Sequence, residues 1–350
     1  MKTFLFLSIN LLILFNCGSD VEFKTAEIPP ALSDVCTLEL TFGDEEGLLK
    51  DEFLLAIPRG IAVNDNNDIL VVDENYVKVY DENGIGKTIF GGRGQGPGEF
   101  QRAVRIWISP EGYITIFGGR TLTNAHYFRS DYSFINRVDY WLYKPYRTLL
   151  DLNSPVERNF QFAYAVDASS QIFSVGFKDK DMNNRDRNEI FLFYDTVDTL
   201  NMLVKYSRTN RIPDTGGTMS SLGILLTGLL PNKRVLYMHS FNDTQINEKD
   251  ATYTITIQSL VDMRKSFITH RYIPVEFDWE PFEFSEDYKK NYPDQYRRER
   301  ENEKKVKKYL AERKYKASLQ RIVTDNNYIF AFTYYQNNHE LLADVFDGDT

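Results

Sequence analysis

The chain repeats a pattern of short apolar runs separated by polar turns. The clearest unit extends from Pro58 to Phe100. It contains an apolar run, the turn NDNN, a second apolar run DILVVD, and a third run that ends in DENG. A second copy opens at Arg105 with RIWISPEGYITIFGG. Runs rich in β-branched and aromatic residues, with Asn, Asp, Gly and Pro between them, predict short strands joined by tight turns.

Three further copies emerge when the units are aligned on the apolar residue that ends the first run. The aligned residues are Val63, Ile108, Val166, Leu229 and Val323, and the steps between them are 45, 58, 63 and 94 residues. Strand–turn units of this period are typical of β-propellers, because one blade buries both of its faces only by stacking on neighbours. We therefore predict an all-β fold, a β-propeller of four-stranded blades, over residues 36–350.

A glycine-rich connector links the first two units, with the sequence FGGRGQGPGEF from Phe90 to Phe100. It resembles the connector between NHL-type propeller repeats, and the chain from about residue 36 onward is similar to bacterial six-bladed β-propeller lipoproteins of that group. The resemblance implies the propeller fold and a location in the cell envelope. It carries over no catalytic residue.

Five units are readable in the sequence, whereas the resemblance implies six blades. Residues 37–43 read as an outermost strand without a blade of its own, and such a strand completes the last blade of a closed ring. The fifth unit ends near Thr350 after its third strand, so we expect a sixth blade beyond this sequence. Closure with five blades and a sixth blade hidden in 264–316 are the alternatives.

Residues 284–316 break the β pattern. They are highly charged, rich in helix formers from Asp294 onward, and preceded by Pro293, which suits a first helical turn. A thin apolar stripe follows at helical spacing, comprising Val306, Tyr309, Leu310 and Arg313. The segment is expected to be a helical insertion. It is either a solvated helix packed on the rim of the propeller or a lid or partner-docking helix.

The first residues predict export. Residues 1–17 combine Lys2 with an apolar stretch from Phe4 to Phe15, which is too short to span a bilayer, and they end at Cys17. This resembles a bacterial lipoprotein signal, with lipidation at Cys17. An ordinary secretory signal is the alternative. Residues 18–35 contain two prolines, lack periodicity and read as a tether between the lipid and the domain.

Composition narrows the possible functions. The net charge of −9 argues against nucleic-acid binding, which requires a basic surface. No Gly-Lys-Ser/Thr follows the glycine connector, no Gly-x-Ser-x-Gly motif is present, and the four histidines lack ligand-like spacing. The sequence therefore assigns no catalytic residue, no metal site and no cofactor, although acids from separate blades could still converge on calcium.

Arginines form the most distinctive candidate cluster. Arg59, Arg102 and Arg105 lie near the starts of predicted inner strands, and Arg93 lies in the connector. Residues at the starts of inner strands come near one mouth of a propeller's channel, so these arginines are candidates for binding an anionic ligand or an acidic surface. Surface arginines paired with neighbouring acids are the alternative.

These observations lead to one expected function and two alternatives. The leading hypothesis is a membrane-anchored extracytoplasmic module that binds an envelope protein or polymer, as a monomer held by its N-terminal lipid. A hydrolase or lyase acting at the channel mouth is the second hypothesis, and a sensor for a small anion is the third. One propeller architecture hosts many functions, so the fold does not choose among them.

Overall fold

The computed structural model describes residues 40, 42, 51–118, 124–140, 157–180, 186–207, 212, 215, 219–247, 249–278, 280–337 and 340–349. Strands within these ranges form five separate antiparallel sheets, each built from chain-consecutive strands. The lipidation site Cys17, the signal 1–17 and the tether 18–35 lie outside the described residues and stay predictions. The all-β propeller architecture is confirmed, and it is consistent with a six-bladed ring.

The first two blades match the two clearest sequence units, and each is a four-stranded meander. Blade one comprises β1 (Pro58–Val63), β2 (Ile69–Asp73), β3 (Tyr76–Tyr80) and β4 (Gly86–Gly91). Blade two comprises β5 (Ala103–Ile108), β6 (Ile114–Gly118), β7 (Asn124–Phe128) and β8 (Phe134–Asp139). The aligned residues Val63 and Ile108 end the inner strands β1 and β5, as predicted.

The later blades are larger or less regular, which accounts for the longer steps between repeats. Blade three comprises β9 (Glu157–Asp167), β10 (Ser170–Lys180), β11 (Asp186–Thr196) and β12 (Leu200–Ser207). Blade four comprises β13 (Leu225–Leu230), β14 (Arg234–His239), β15 (Thr244–Ile246), β16 (Ala251–Ser259) and β17 (Lys265–Arg271). Blade five comprises β18 (Leu319–Asp325), β19 (Tyr328–Asn337) and β20 (Glu340–Asp347). The short β15 extends blade four beyond the predicted four strands.

Side-chain alternation along the strands builds the core between blades. In β2, Leu70 and Val72 face blade two, whereas Ile69 and Val71 face the opposite way. Four buried clusters of this kind join consecutive blades from one to five. Because successive strand residues point to opposite faces, a strand between two blades is apolar on both sides, and the sequence shows this as continuous apolar runs.

The face of blade one that points away from blade two is covered in part by the chain that precedes it. Phe42 packs on Tyr80 at the end of β3 with a ring-centroid distance of 4.8 Å, as Phe90 of β4 packs on Phe128 of blade two at 5.0 Å. Phe42 therefore occupies the position of an outermost-strand residue from the preceding blade of the ring. This supports the prediction for 37–43 at Phe42, while most of that segment lies outside the described residues.

Blades one and five leave apolar side chains open on their outer faces. Ile61 and Val63 of β1 are 65% and 57% exposed, and Val345 of β20 is 53% exposed. Within the described part of the chain, β20 pairs only with β19. Direct packing of blade five on blade one would bury these side chains, so the arrangement does not support closure with five blades.

The helical insertion is confirmed, and no further blade is found among its described residues. The described residues of 264–316 form β17 and two helices, α1 (Glu286–Asn291) and α2 (Pro293–Arg313). Pro293 stands in the first turn of α2, as predicted. Leu310 is buried with Ile212 and Leu222, and both Val306 and Tyr309 pack against this cluster. The predicted apolar stripe thus seats α2 on the edge of blade four.

Arg313 completes this attachment. Its guanidinium lies 3.4 Å from the centre of the Phe241 ring and donates a hydrogen bond to the carbonyl of Leu222 at 2.6 Å. A second hydrogen bond reaches the hydroxyl of Tyr309 at 3.2 Å. The described contacts therefore fit a helix packed on the rim of the propeller, and its solvent-facing side stays free for another role.

Two carboxylates at strand ends accept hydrogen bonds from backbone N–H groups. The Asp81 carboxylate accepts from the backbone N–H groups of Asn83 and Ile85 at 2.9 Å each. Asp73 accepts from the N–H groups of Ala56 and Ile57 at 3.1 and 2.6 Å. These roles account for both aspartates without catalysis.

Candidate functional site

All five inner strands line one cavity of about 310 Å³, and it occupies the channel mouth where these strands end. The cavity follows from the repeat, because equivalent residues of the five blades lie at the same level along the propeller axis. Its lining includes Val63, Asp65, Trp107, Ile108, Ser109, Thr115, Tyr164, Ala165, Thr227, Leu229, Arg321, Val323, Thr324, Asp325 and Asn326. We call this cavity the channel mouth. It is of the size that binds a small polar group or a terminal unit of a larger ligand.

Neighbouring inner strands approach each other closely at two glycines. A β-carbon added at Gly228 of β13 would lie 2.6 Å from the Thr324 side chain of β18. At Gly60 of β1, an added β-carbon would lie 3.3 Å from the carbonyl oxygen of Val104 in β5. Glycine at these positions lets the inner strands converge, because any side chain would push the strands apart.

One wall of the channel mouth is aromatic. The rings of Trp107 and Tyr164 meet edge to face with centroids 5.1 Å apart. Thr227 donates to the Tyr164 hydroxyl at 3.4 Å, and burial raises the pKa of that hydroxyl. The Thr115 hydroxyl accepts from the N–H of Ala165 at 2.8 Å. This wall therefore combines ring surfaces with hydroxyl groups that keep hydrogen-bonding capacity.

The opposite side of the channel mouth carries charge. Arg321 of β18 is exposed and has no ion-pair partner within the described ranges. Asp325 follows it on the same strand, and Asp65 lies in the equivalent turn of blade one. A single guanidinium with two carboxylates offers both donors and acceptors without a strong excess of one sign.

The predicted arginines are not brought into a single site. Arg59 and Arg93 line a shared cavity of about 270 Å³. Arg105 lines a separate cavity of about 450 Å³ between blades two, three and four. Arg102 lines none of the described cavities, and Arg59 and Arg105 lie within β1 and β5 rather than before them. Whether any of the four binds a ligand stays a prediction.

Two of these arginines already have backbone partners. Arg59 donates to the carbonyl of Ala103 at 3.3 Å, and Arg105 donates to the carbonyl of Gln161 at the same distance. Each bond crosses from one inner strand to the next blade. These two arginines therefore help to join consecutive blades, which is a structural role that the sequence did not indicate.

Arg321, Trp107 and Tyr164 were missed by sequence reasoning, although the repeat held a signal for Arg321 and Tyr164. Tyr164 and Arg321 lie two positions before the aligned residues Val166 and Val323, and Thr227 lies two before Leu229. Side chains two residues apart on a strand share a face. An alignment of the residues two positions before each apolar end would have grouped Tyr164, Thr227 and Arg321.

Two of the described histidines lie in the core. His126 and His239 are buried, and burial lowers the pKa of each to about 4. The Nδ1 atom of His239 accepts from the N–H groups of Phe241 and Asn242 at 3.3 Å each. In the part of the chain that the structure describes, no group of three or more His, Cys, Asp or Glu residues is placed to hold a metal ion. Nor does any described helix have the length and apolar character to cross a bilayer.

Comparison with known proteins defines the class. A family model described as a 6-bladed beta-propeller matches residues 49–141, the region of blades one and two. This match agrees with the five sheets and with the exposed outer faces of blades one and five. The chain thus has the architecture of a β-propeller, and the six-bladed description fits it. No curated protein matches the sequence.

Solved structures resemble the chain only distantly. A candidate exported protein from Bacteroides fragilis is 10% identical, with 85% of this chain and 92% of that chain covered and a TM-score of 0.30. The WD40 domain of SCAP from fission yeast is 13% identical, with 61% and 44% covered and a TM-score of 0.27. The extracellular domain of a candidate hybrid two-component system from B. thetaiotaomicron is 8% identical, with 63% and 24% covered and a TM-score of 0.31. The chain spans less than half of the latter two, and scores this low transfer no function.

Proposed function

We propose that the chain is an extracytoplasmic binding module, anchored in a bacterial envelope by lipid on Cys17, and that it binds a saccharide unit of an envelope polymer in the channel mouth. The observation that carries the proposal is the composition of that cavity, to which all five blades contribute. It combines an aromatic wall, hydroxyl groups, two aspartates and one arginine that has no ion-pair partner in the described parts of the chain.

A saccharide suits this lining better than a simple anion does. Sugar hydroxyls both donate and accept hydrogen bonds, so Arg321 and Asp325 can be used by the same ring. The apolar face of a sugar packs on an aromatic side chain such as Trp107. A free anion would gain from the arginine but would be repelled by Asp65 and Asp325.

An array of bacterial polysaccharide fragments tests the proposal. The unmodified domain is expected to bind a subset of the fragments, and Arg321→Ala is expected to weaken that binding about ten- to a hundredfold, the value of a hydrogen bond to a charged group. Arg264→Ala is a matched control, because Arg264 is a surface arginine in the β16–β17 turn, paired only locally with Asp262 at 2.5 Å. Equal binding by both variants would overturn the proposal.

The arginine pair supports a second candidate function, a sensor for a small anion. Arg59 and Arg93 line one cavity together with Glu74, Asn75 and Tyr76. Two guanidinium groups around one small space favour a carboxylate or phosphate. Thermal stabilisation by such an anion is expected to disappear in Arg59→Ala while the domain stays folded. Stabilisation that persists in this variant would refute the sensor function.

The alternative of a channel-mouth hydrolase has less support. It requires histidines or acids that converge, and the channel mouth contributes Asp65 and Asp325 beside apolar residues and one arginine. We infer that the module acts by binding, as a monomer whose partner is an envelope polymer or a protein that carries it. Release of an altered saccharide in a turnover assay would contradict this inference.

A further inference from the structure

The helical insertion carries an aromatic ladder on its surface. The rings of Phe282, Phe284, Tyr288 and Tyr292 follow one another with centroid separations of 5.0, 5.2 and 5.5 Å. Both ends of the ladder face solvent, since Phe282 is 68% exposed and Tyr292 is 52% exposed. Rings whose only role was to join α1 to α2 would be covered at both ends.

A basic stripe extends along α2 next to the ladder. Arg297, Lys304 and Lys308 are spaced by seven and four residues, so they share one side of the helix. That side is opposite the stripe of Val306 and Leu310 that packs on the propeller. All three basic side chains are exposed, and so is the neighbouring Lys307.

The basic side chains of the stripe are weakly neutralised. Arg297 and Lys308 have exposed carboxylate partners at 3.7 and 4.0 Å, a geometry that contributes little in water. Lys304 and Lys307 have no ion-pair partner among the residues the structure describes. Glu301 is also exposed on this side, one turn from both Arg297 and Lys304, so the stripe keeps part of its positive charge for an external surface.

The ladder borders the stripe. The backbone N–H of Phe282 donates to the Glu303 carboxylate at 3.1 Å, and Glu303 lies one turn before Lys307 on the same side of the helix. The Arg300 guanidinium lies over the Phe284 ring at 5.3 Å and ties the two features together. We call the combined surface of Phe282, Tyr292, Arg297, Lys304, Lys307 and Lys308 the basic–aromatic face.

We propose that the basic–aromatic face docks on an anionic phospholipid membrane. Charge complementarity carries the proposal: residues 286–313 contain ten Lys and Arg against seven Asp and Glu, in a chain of net charge −9. Lysines on long flexible stems bind lipid phosphates, and exposed Phe and Tyr rings enter the headgroup layer. The remainder of the acidic domain is repelled by the same membrane, so docking also sets its orientation. The proposal does not depend on the channel-mouth ligand.

A local fluorescent probe tests the docking, because the apolar residues 4–15 and any lipid could bind vesicles on their own. The full chain would carry Cys17→Ser and Cys36→Ser, with an environment-sensitive bimane label on Asn291→Cys beside Tyr292. A matched chain would carry the label on Val197→Cys, an 81% exposed position in the turn between β11 and β12. Vesicles of phosphatidylcholine and phosphatidylglycerol would contain acyl-brominated lipid as a quencher.

The expected result is that anionic vesicles quench the label at position 291 but not the label at position 197. Vesicles of pure phosphatidylcholine are expected to quench neither label. Replacement of Lys304, Lys307 and Lys308 by glutamate is expected to weaken this partition about a hundredfold, as three lysine–headgroup contacts imply. A label at 291 that remains unquenched on anionic vesicles would overturn the proposal and favour an acidic protein as the partner. Equal quenching at both positions would also overturn it, because contact would then be nonspecific.

Discussion

The buried ion pair of blade one provides a quantitative prediction about how the entry segment is held. Lys78 and Asp73 lie 2.8 Å apart, and the Asp73 side chain is only 1% exposed. The carboxylate also accepts from the N–H groups of Ala56 and Ile57. Lys78 donates in addition to the carbonyl of Leu54. Two charges thus attach the chain before β1 to the outer face of blade one.

The state of Asp73 follows from competing effects. Burial alone would raise the pKa of this carboxyl group, but hydrogen bonds from Lys78, Ala56 and Ile57 outweigh it and hold the pKa below its usual value. The ionised form is therefore the stable one in the folded protein. Its contribution to stability is present at neutral pH and is lost as the pH falls through the lowered pKa.

Asp73→Ala is expected to reduce the free energy of unfolding by about 3–5 kcal/mol, because it leaves the Lys78 ammonium buried without its partner. Lys78→Met removes that charge as well, so the double variant is expected to be more stable than Asp73→Ala alone. The coupling between the two positions should exceed about 1 kcal/mol in a double-mutant cycle. Urea denaturation followed by tyrosine and tryptophan fluorescence measures all four proteins.

Two results would refute this reasoning. If Asp73→Ala lowers the free energy of unfolding by less than about 1 kcal/mol, water reaches the site and screens the ion pair. Strict additivity in the cycle would mean that Asp73 acts only on the backbone of the entry segment. Asp81→Ala is the matched control, since that aspartate bonds only to exposed turn N–H groups and should cost about 1 kcal/mol or less.

Further predictions concern buried histidines, strand contact and helix attachment. His126 and His239 have pKa values lowered to about 4 by burial. As the pH falls, these histidines therefore bind protons in the unfolded chain before they do so in the folded protein. Stability should therefore be full above about pH 6.5 and fall towards pH 4, by roughly 3 kcal/mol for each histidine, in denaturation at stepped pH. Gly228→Val should lower the free energy of unfolding by about 1–3 kcal/mol in the same assay, because the valine side chain would collide with Thr324. Arg313→Ala should expose α2 to limited proteolysis while the propeller itself stays resistant, since the contacts that seat the helix edge are lost.

Each of these three predictions has an outcome that would contradict it. A flat stability profile between pH 6.5 and 4 would mean that the histidines are hydrated in the folded state. A valine tolerated at Gly228 would mean that β13 and β18 are further apart than described. Unchanged proteolysis in Arg313→Ala would assign the seating of α2 to its apolar stripe alone.

The repeat was predictable because strand alternation and turn residues are local properties. Val63 and Ile108 end their strands where the alignment placed them, and Pro293 opens the predicted helix. The prediction that residues 37–43 form an outermost strand is supported at Phe42, which packs on Tyr80. These features depend on residues close together in the sequence.

The candidate site was harder to predict because it depends on how blades meet around an axis. Tyr164, Thr227 and Arg321 are far apart in the chain, and only the ring brings them to one cavity. For the same reason, Arg105 lines a different cavity from Arg59 and Arg93. Arg59 and Arg105 do not occupy equivalent positions in their strands, and each donates to the backbone of the next blade. Spacing along one strand does not show which side chains of different blades converge.

Fluorescence of Trp107 tests the central claim most directly, because this residue lies in the channel mouth. The other two tryptophans would be replaced by phenylalanine, and envelope polysaccharide fragments would be titrated into the protein. The account predicts a saturable change in Trp107 emission that Arg321→Ala weakens about tenfold or more. Fragments that bind by calorimetry without changing Trp107 emission would contradict the account, because the ligand would then lie elsewhere on the propeller.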